Sequence, residues 1–293
     1  GGVRREGVGG QGGGVEGSVR VGGGLRPRRG LTLPGVDLGI SAVTEHDRHC
    51  LQFALEHGVD AVSQSFVSNA ADVQAVREAA AETGNSPFII AKIERADALE
   101  NIDEIVEAAD GIMIARGDLG SEMPAEEVPL IQKELINRAR TNNCPVIVAT
   151  QMMESMIHNA RPTRAEVGDV ANAAMSSTDA VMLSAETAAG KYPIKTVKMM
   201  DRILREIEGH QWSTGNIGDD LGGYRELPSS RRAIAHAANT LARDLKLQGI
   251  IVPTHSGHTA AVLSASRPSS PLLGVSVSQS TCQKLSLHWG IIP

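Results

Sequence analysis

The sequence predicts an α/β fold, in which short parallel strands alternate along the chain with helices. Between residues 44 and 208, five short apolar runs each precede a segment whose apolar residues recur at helical spacing. The runs are apolar at successive positions, which is typical of parallel strands that helices cover on both faces. Five strands do not close an eight-stranded barrel, so their number leaves two architectures open, a doubly wound sheet and a (β/α)8 barrel.

Each predicted element has its own local signals. The first is a helix at 44–57, where Thr44 is a favourable N-cap, Leu51 and Leu55 recur at helical spacing, and Gly58 ends the helix. The strands that follow are predicted at 59–66, 87–92, 111–116, 145–150 and 179–184, and the helices after them at 70–83, 96–108, 125–141, 163–176 and 193–208.

A second α/β domain is predicted at 227–293, after a linker at 209–226 that is rich in glycine and polar residues. Residues 1–14 are low-complexity glycine, which we expect to be disordered. The elements of the second domain are an amphipathic helix at 230–245, then a strand, a helix and a strand at 249–253, 258–268 and 271–277.

Composition excludes several classes of protein. Cys50, Cys144 and Cys282 lie too far apart for a disulfide framework, and no pair has the spacing of zinc ligands. No apolar run approaches the ~20 residues of a membrane-spanning helix, and the first 30 residues lack the apolar stretch of a secretory signal. The net charge of −6 argues against a nucleic-acid partner. We therefore predict a cytoplasmic protein without nucleic-acid or membrane partners.

Ionisable and polar residues fall at one end of four consecutive predicted strands. In a barrel, the carboxyl ends of the strands form the mouth where chemistry takes place. An amine with two neighbouring carboxylates suits an anionic substrate held by a divalent ion. This spacing indicates a phosphate or carboxylate substrate without saying which. The residues concerned are Lys92 and Glu94, Arg116, Gly117 and Asp118, Thr150, and Ser184 with Glu186.

Taken singly, these residues have simpler explanations. Lys92 and Glu94 could form a surface ion pair, Asp118 could cap a helix, and the Thr150 hydroxyl could bond to the next turn. Lys92, however, directly follows the apolar residues FIIA, which should draw it towards the interior.

Five segments resemble the pyruvate kinase family in order, spacing and wording: KIE (92–94), DGIMIARGDLG (110–120), PVIVATQMMESM (145–156), RPTRAEVGDVANA (161–173) and DAVMLSAETAAGKYP (179–193). The resemblance extends over residues 15–293. It implies that residues 36–208 form strands four to eight of a partial (β/α)8 barrel, preceded at 15–35 by the remnant of an inserted β-domain. It also implies that 227–293 form a partial C-terminal α/β domain.

The resemblance implies phosphoryl transfer from phosphoenolpyruvate to ADP, giving pyruvate and ATP, with Mg²⁺ or Mn²⁺ as cofactor. K⁺ is expected of the family, but its ligands have no counterpart in this chain. A full-length form would be a homotetramer, with 162–166 near subunit contacts. Because three barrel strands have no counterpart either, we expect this chain alone to have little or no kinase activity.

The resemblance also assigns roles to matching positions. Lys92 would stabilise the transferring phosphoryl group, Glu94 and Asp118 would bind the metal, and Arg116 would order the site through ion pairing. The remaining roles are substrate binding by Gly117, Asp118 and Thr150 with Lys92, and protonation of the enolate, linked to Thr150, Ser184 and Glu186.

Two departures from the family stand out. Ala185 replaces the usual glycine, and His255 and His258 stand where many members have lysine and arginine in a loop that binds a sugar phosphate. His255 and His258 could also be ordinary surface histidines. The possible effector phosphate loop consists of Thr254, Ser256, Gly257, His258 and Thr259.

Two other functions remain open at this point. One is a Mg²⁺-dependent barrel lyase or aldolase acting on enolpyruvate, which explains the lysine and carboxylates but not the second domain. The other is a non-catalytic remnant or a metabolite-responsive scaffold.

Overall fold

A computed structural model of the chain describes residues 4–11, 14–21, 42–214 and 230–293, with the backbone alone before residue 22. The chain divides into two units, Gly1–Val36 and Asp37–Pro293. The first unit contains an antiparallel pair, β1 (Arg4–Gln11) and β2 (Gly14–Val21). Strand β1 departs from the disorder predicted for residues 1–14, because ladder hydrogen bonds use backbone groups and need no side chains.

The second unit begins with α1 (Glu45–Glu56), which Thr44 caps through a reciprocal capping box with Asp47. Its strand–helix series matches the predicted order. The strands are β3 (Ala61–Gln64), β4 (Phe88–Ile93), β5 (Gly111–Ala115), β6 (Val146–Ala149) and β7 (Ala180–Val181). The helices are α2 (Ala70–Ala81), α3 (Asp97–Glu100), α4 (Ile102–Ala108), α5 (Arg116–Glu122), α6 (Val128–Thr141), a 3-10 turn at Glu154–Ile157, α7 (Arg164–Met175), α8 (Ala185–Ala188) and α9 (Pro193–Thr214).

The five strands form one parallel sheet in which spatial order follows chain order from β3 to β7. A doubly wound sheet would reverse its strand order at a switch point, so this order is that of a barrel wall. The predicted α/β fold is confirmed, and the sheet corresponds to a partial barrel with β3 and β7 at its edges.

Alternate side chains of each strand face opposite layers. Ile89, Ala91 and Ile93 of β4 pack in the larger core with the helices. Phe88 and Ile90 lie on the other face, in a smaller cluster with Met113 and Ala149. Lys92 continues the second face because side chains alternate along a strand.

The C-terminal part is a second parallel sheet with the order β10–β9–β8. The last helix and strand were not predicted from the sequence. The elements are α10 (Ser230–Asp244), β8 (Ile250–Pro253), α11 (His258–Ala265), β9 (Leu272–Val275), α12 (Gln279–Leu285) and β10 (Ile291–Ile292). None of the helices in the described ranges combines the length and hydrophobicity needed to span a bilayer.

Two predicted boundaries were wrong. The helix predicted at 96–108 breaks at Asn101, whose side-chain amide donates to the Ser68 carbonyl at 2.9 Å. Helix α9 continues to Thr214, past residue 209 where the sequence predicted a linker. The indole Nε1 of Trp212 donates to the Ser269 carbonyl at 3.1 Å, and this tertiary contact holds the final turns. The rest of the predicted linker lies outside the described residues.

Candidate active site

The carboxyl end of β4 carries an ion pair turned inward. The Lys92 amine lies 2.6 Å from Oε1 of Glu94, with side-chain exposures of 23% and 1%. A carboxylate this deeply buried is stable only when it is paired and hydrogen-bonded. The alternative of an exposed surface pair is therefore excluded by the burial of Glu94.

The loop after β3 completes the surroundings of this pair. The Phe66 backbone amide donates to Oε2 of Glu94 at 2.8 Å, and the Lys92 amine donates to the Ser65 hydroxyl at 2.9 Å. Phe66 has a φ of 56°, a left-handed conformation that is uncommon for a bulky residue. Sequence reasoning missed Ser65 and Phe66, because neither carries a charge.

The ends of β5 and β6 meet through Gly117 and Thr150. The Gly117 amide donates to the Thr150 hydroxyl oxygen at 2.8 Å, and that hydroxyl donates to the Ala149 carbonyl at 2.6 Å. A Cβ added to Gly117 would lie 3.4 Å from the Thr150 hydroxyl oxygen, an ordinary van der Waals contact. Thr150 and Gln151 both have positive φ, 69° and 54°, which marks a constrained turn at this edge.

Arg116 ties the same turn to helix α7. Its Nη1 lies 2.6 Å from Oδ1 of Asp169, and its Nη2 donates to the Thr150 carbonyl at 2.7 Å. Its side chain is 10% exposed. The ion pairing that the resemblance implied for Arg116 is therefore present, and its partner is Asp169.

Asp118 is exposed in the first turn of α5. Strands β4 and β5 pair Ile93 with Ile114, so Glu94 lies beside the start of α5. Within the described ranges, however, no hydrogen bond or ion pair joins Asp118 to Lys92 or Glu94.

Glu186 is buried and links two loops. Its Oε1 accepts from the Met153 amide at 3.2 Å, and its Oε2 accepts from the Ser184 amide at 2.8 Å. Both amides follow strand ends, one after β6 and one after β7. Glu186 thus positions the loop that carries Ser184.

A cleft of about 630 Å³ opens beside this edge. Its lining includes Arg116 and Gly117 of α5, Glu166 and Asp169 of α7, and Gln151 in the turn after β6. Glu166 accepts hydrogen bonds from the amide and hydroxyl of Ser155 at 2.7 and 2.6 Å. Burial raises the pKa of Glu166, but hydrogen bonds from Ser155 and Thr163 outweigh it and lower the pKa below its ordinary value.

The predicted effector phosphate loop connects β8 to α11. The Gly257 amide donates to the Thr254 hydroxyl at 3.1 Å, and Gly257 has a φ of 89°. Nη1 of Arg231, from α10, lies 3.1 Å from Nε2 of His258. Sequence reasoning missed Arg231, which lies 27 positions from its partner and adds a cation to the loop.

Family comparisons match both parts of the chain. The model "Pyruvate kinase, barrel domain" matches residues 8–197, and "Pyruvate kinase, alpha/beta domain" matches residues 232–293. A pyruvate kinase of Sporosarcina psychrophila is 43% identical over 281 residues, covering 92% of this chain and 46% of that protein. One from Geobacillus stearothermophilus is 42% identical over 291 residues, covering 96% and 48%. The chain spans about half the length of these curated relatives.

Proposed function

Because the chain belongs to the pyruvate kinase family, we propose that it carries part of an active site for phosphoryl transfer from phosphoenolpyruvate to ADP. The observation that carries the proposal is the buried Lys92–Glu94 pair at the carboxyl end of β4. A fixed amine here meets the charge that develops on a transferring phosphoryl group, in a setting partly screened from water.

Glu94 and Asp118 are the residues that would hold Mg²⁺ or Mn²⁺. Among the described residues no group of three or more His, Cys, Asp or Glu side chains could hold an ion, so two acids would leave positions to substrate oxygens and water. Oε1 of Glu94 lies against the Lys92 amine and Oε2 accepts from the Phe66 amide, and a carboxylate oxygen can accept more than one contact. The donor set therefore fits. A bound cation would neutralise charge on the substrate's phosphate and carboxylate.

The chain's own residues would divide the remaining work. The Lys92 amine, oriented by Ser65 and Glu94, binds the phosphoryl oxygens. The backbone at Gly117 and Asp118, with Thr150, binds the anionic substrate.

Protonation of the enolate carbon would involve Thr150, Ser184 and Glu186. Glu186 acts here by positioning the Ser184 loop, since its two oxygens accept backbone amides. Arg116, paired with Asp169, orders the turn that carries Thr150.

For the whole protein, we propose further properties of the family. These are a K⁺ requirement, a cytoplasmic location and a homotetramer, with residues 162–166 at subunit contacts. The loop of Thr254–Thr259 would bind a phosphorylated effector, with Arg231, which contacts His258, supplying fixed positive charge. The proposed domain boundaries are a barrel part from residue 36 to the end of α9 at Thr214 and a C-terminal part at 227–293.

The test is ATP formation from phosphoenolpyruvate and ADP in a coupled assay. The chain is assayed by itself and as a hybrid, in which the N-terminal part of the Geobacillus stearothermophilus relative precedes it. We expect Mg²⁺-dependent ATP formation by the hybrid and far less by the chain alone. A folded hybrid that cleaves or condenses enolpyruvate without forming ATP would favour the lyase, and one without any turnover would favour the scaffold.

A further inference from the structure

Helix α1 carries a thiol and an imidazole in contact. The Sγ of Cys50 lies 3.6 Å from Nε2 of His46, one helical turn earlier. Both side chains are exposed, and residues four apart share one face of a helix. From this pair we propose that Cys50 and His46 form a two-donor site for a thiophilic divalent cation such as Zn²⁺.

The separation of the two donors matches the geometry of such an ion. Zinc bonds sulfur at about 2.3 Å and imidazole nitrogen at about 2.0 Å, so two donors of a tetrahedral ion lie about 3.5 Å apart. The observed 3.6 Å, a hydrogen-bonding contact between the thiol and the imidazole, is close to this distance. Thiolate sulfur selects Zn²⁺ over Mg²⁺, which distinguishes this pair from the oxygen donors at the strand ends.

Two acids near the Cys50–His46 pair have partners of their own. The Asp47 carboxylate is engaged in the N-cap, where it accepts from the amide and hydroxyl of Thr44 at 2.9 and 2.6 Å. Glu45 lies 3.9 Å from His49 on the same helix. Because the described residues hold no set of three or more candidate ligands, water or a ligand from another molecule would fill the remaining positions. Because the protein supplies two donors, we expect the cation to bind weakly and reversibly.

The experiment titrates the full chain anaerobically with Co²⁺, which takes tetrahedral sites and absorbs in the near ultraviolet when sulfur is bound. Oxygen donors such as Glu94 and Asp118 give no such absorption. We expect a sulfur–cobalt absorption that Zn²⁺ removes, that Cys50→Ser abolishes, and whose apparent Kd rises on the order of tenfold in His46→Gln.

Two matched variants serve as controls. His49→Gln removes the other imidazole of the helix, which is also exposed and also four residues from its partner, and Cys282→Ser removes a half-buried thiol. Both should bind as the parent chain does. The proposal is overturned if the parent chain gives no sulfur–cobalt absorption, if Cys50→Ser retains it, or if His46→Gln binds as tightly as the parent. Circular dichroism of each variant verifies that α1 is intact.

Discussion

Arg267 and Asp179 form a buried ion pair between the second sheet and the base of the first. Nη2 of Arg267 lies 2.8 Å from Oδ2 of Asp179, with side-chain exposures of 2% and 3%. The guanidinium also donates to the Ser177 carbonyl at 2.7 Å, and Oδ1 of Asp179 accepts from the Trp289 amide at 3.0 Å. Every oxygen of Asp179 is therefore engaged, and the two sheets share one polar junction.

Removing either partner of this junction should lower the free energy of unfolding. Arg267→Met leaves the Asp179 carboxylate buried and unpaired, which we expect to lower the free energy of unfolding by about 3–5 kcal/mol in urea denaturation. Asp179→Asn should cost less but in the same direction, and it gives a measurable variant if Arg267→Met does not fold. Arg243→Met is the matched control, because Arg243 pairs with Asp244 at the surface and should cost at most about 0.5 kcal/mol. Equal effects of Arg267→Met and Arg243→Met would refute the role of the junction.

Stability should also depend on pH through His288, a mostly buried residue whose imidazole interacts electrostatically with Asp179 and Arg267. Burial lowers the pKa of His288 below its ordinary 6.5, Asp179 opposes the shift and Arg267 adds to it. The unfolded chain therefore binds more protons than the folded chain as pH falls below about 6.5, and stability falls with it, by at most ~1.4 kcal/mol per pH unit from this group. The measurement is the urea midpoint between pH 7.5 and 5.

His288→Gln should reduce the acid-side slope while leaving stability near pH 7.5 little changed. A variant with the same slope as the parent chain would show that other groups cause the pH dependence.

Arg116 should not be replaceable by lysine. Its guanidinium reaches Asp169 and the Thr150 carbonyl together, whereas an ammonium is a compact point charge without that fork. We expect Arg116→Lys to lower the unfolding free energy by about 1–3 kcal/mol. Arg205→Lys, in an exposed pair with Asp201, is the control and should change it by less than about 0.5 kcal/mol. A tolerated Arg116→Lys would mean that the charge alone matters.

The contribution of Glu186 to stability should depend on the two hydrogen bonds that its carboxylate accepts. Glu186→Gln replaces one acceptor oxygen by an NH₂ group that faces the amide of Met153 or Ser184, so two donors oppose each other. The expected loss is about 1–3 kcal/mol, read from thermal and urea unfolding. Glu134→Gln, at an exposed position next to Arg138, should be nearly neutral. If both variants unfold alike, Glu186 does not hold the two loops together.

Local signals in the sequence predicted most of the fold. Helices α1 and α7 begin at the capping boxes of Thr44 and Thr163, and short-range chemistry of this kind is readable without a structure. Apolar runs located the strands, but β7 is shorter than predicted. Its ladder has two residues, although the Met182 amide still donates to the Val148 carbonyl at 2.9 Å.

The remaining features depend on contacts between distant residues. Arg116 lies 53 positions from Asp169, and Arg267 lies 88 from Asp179, so no local pattern joins them. Lys92 and Glu94 were predicted because two charges follow an apolar run, whereas Ser65 is an ordinary polar residue until the sheet places β3 beside β4. Tertiary packing also overrode local preference at Gly209, where α9 continues instead of ending.

The central claim is that the Lys92 amine meets a transferring phosphoryl group. Lys92→Met in the hybrid chain tests it most directly, with Lys198→Met at an exposed position of α9 as the control. We predict that Lys92→Met lowers kcat for ATP formation roughly 10³-fold or more while circular dichroism stays unchanged, because fixed charge at this position acts on the transition state. A folded Lys92→Met variant with kcat within about tenfold of the Lys198→Met control would contradict the account.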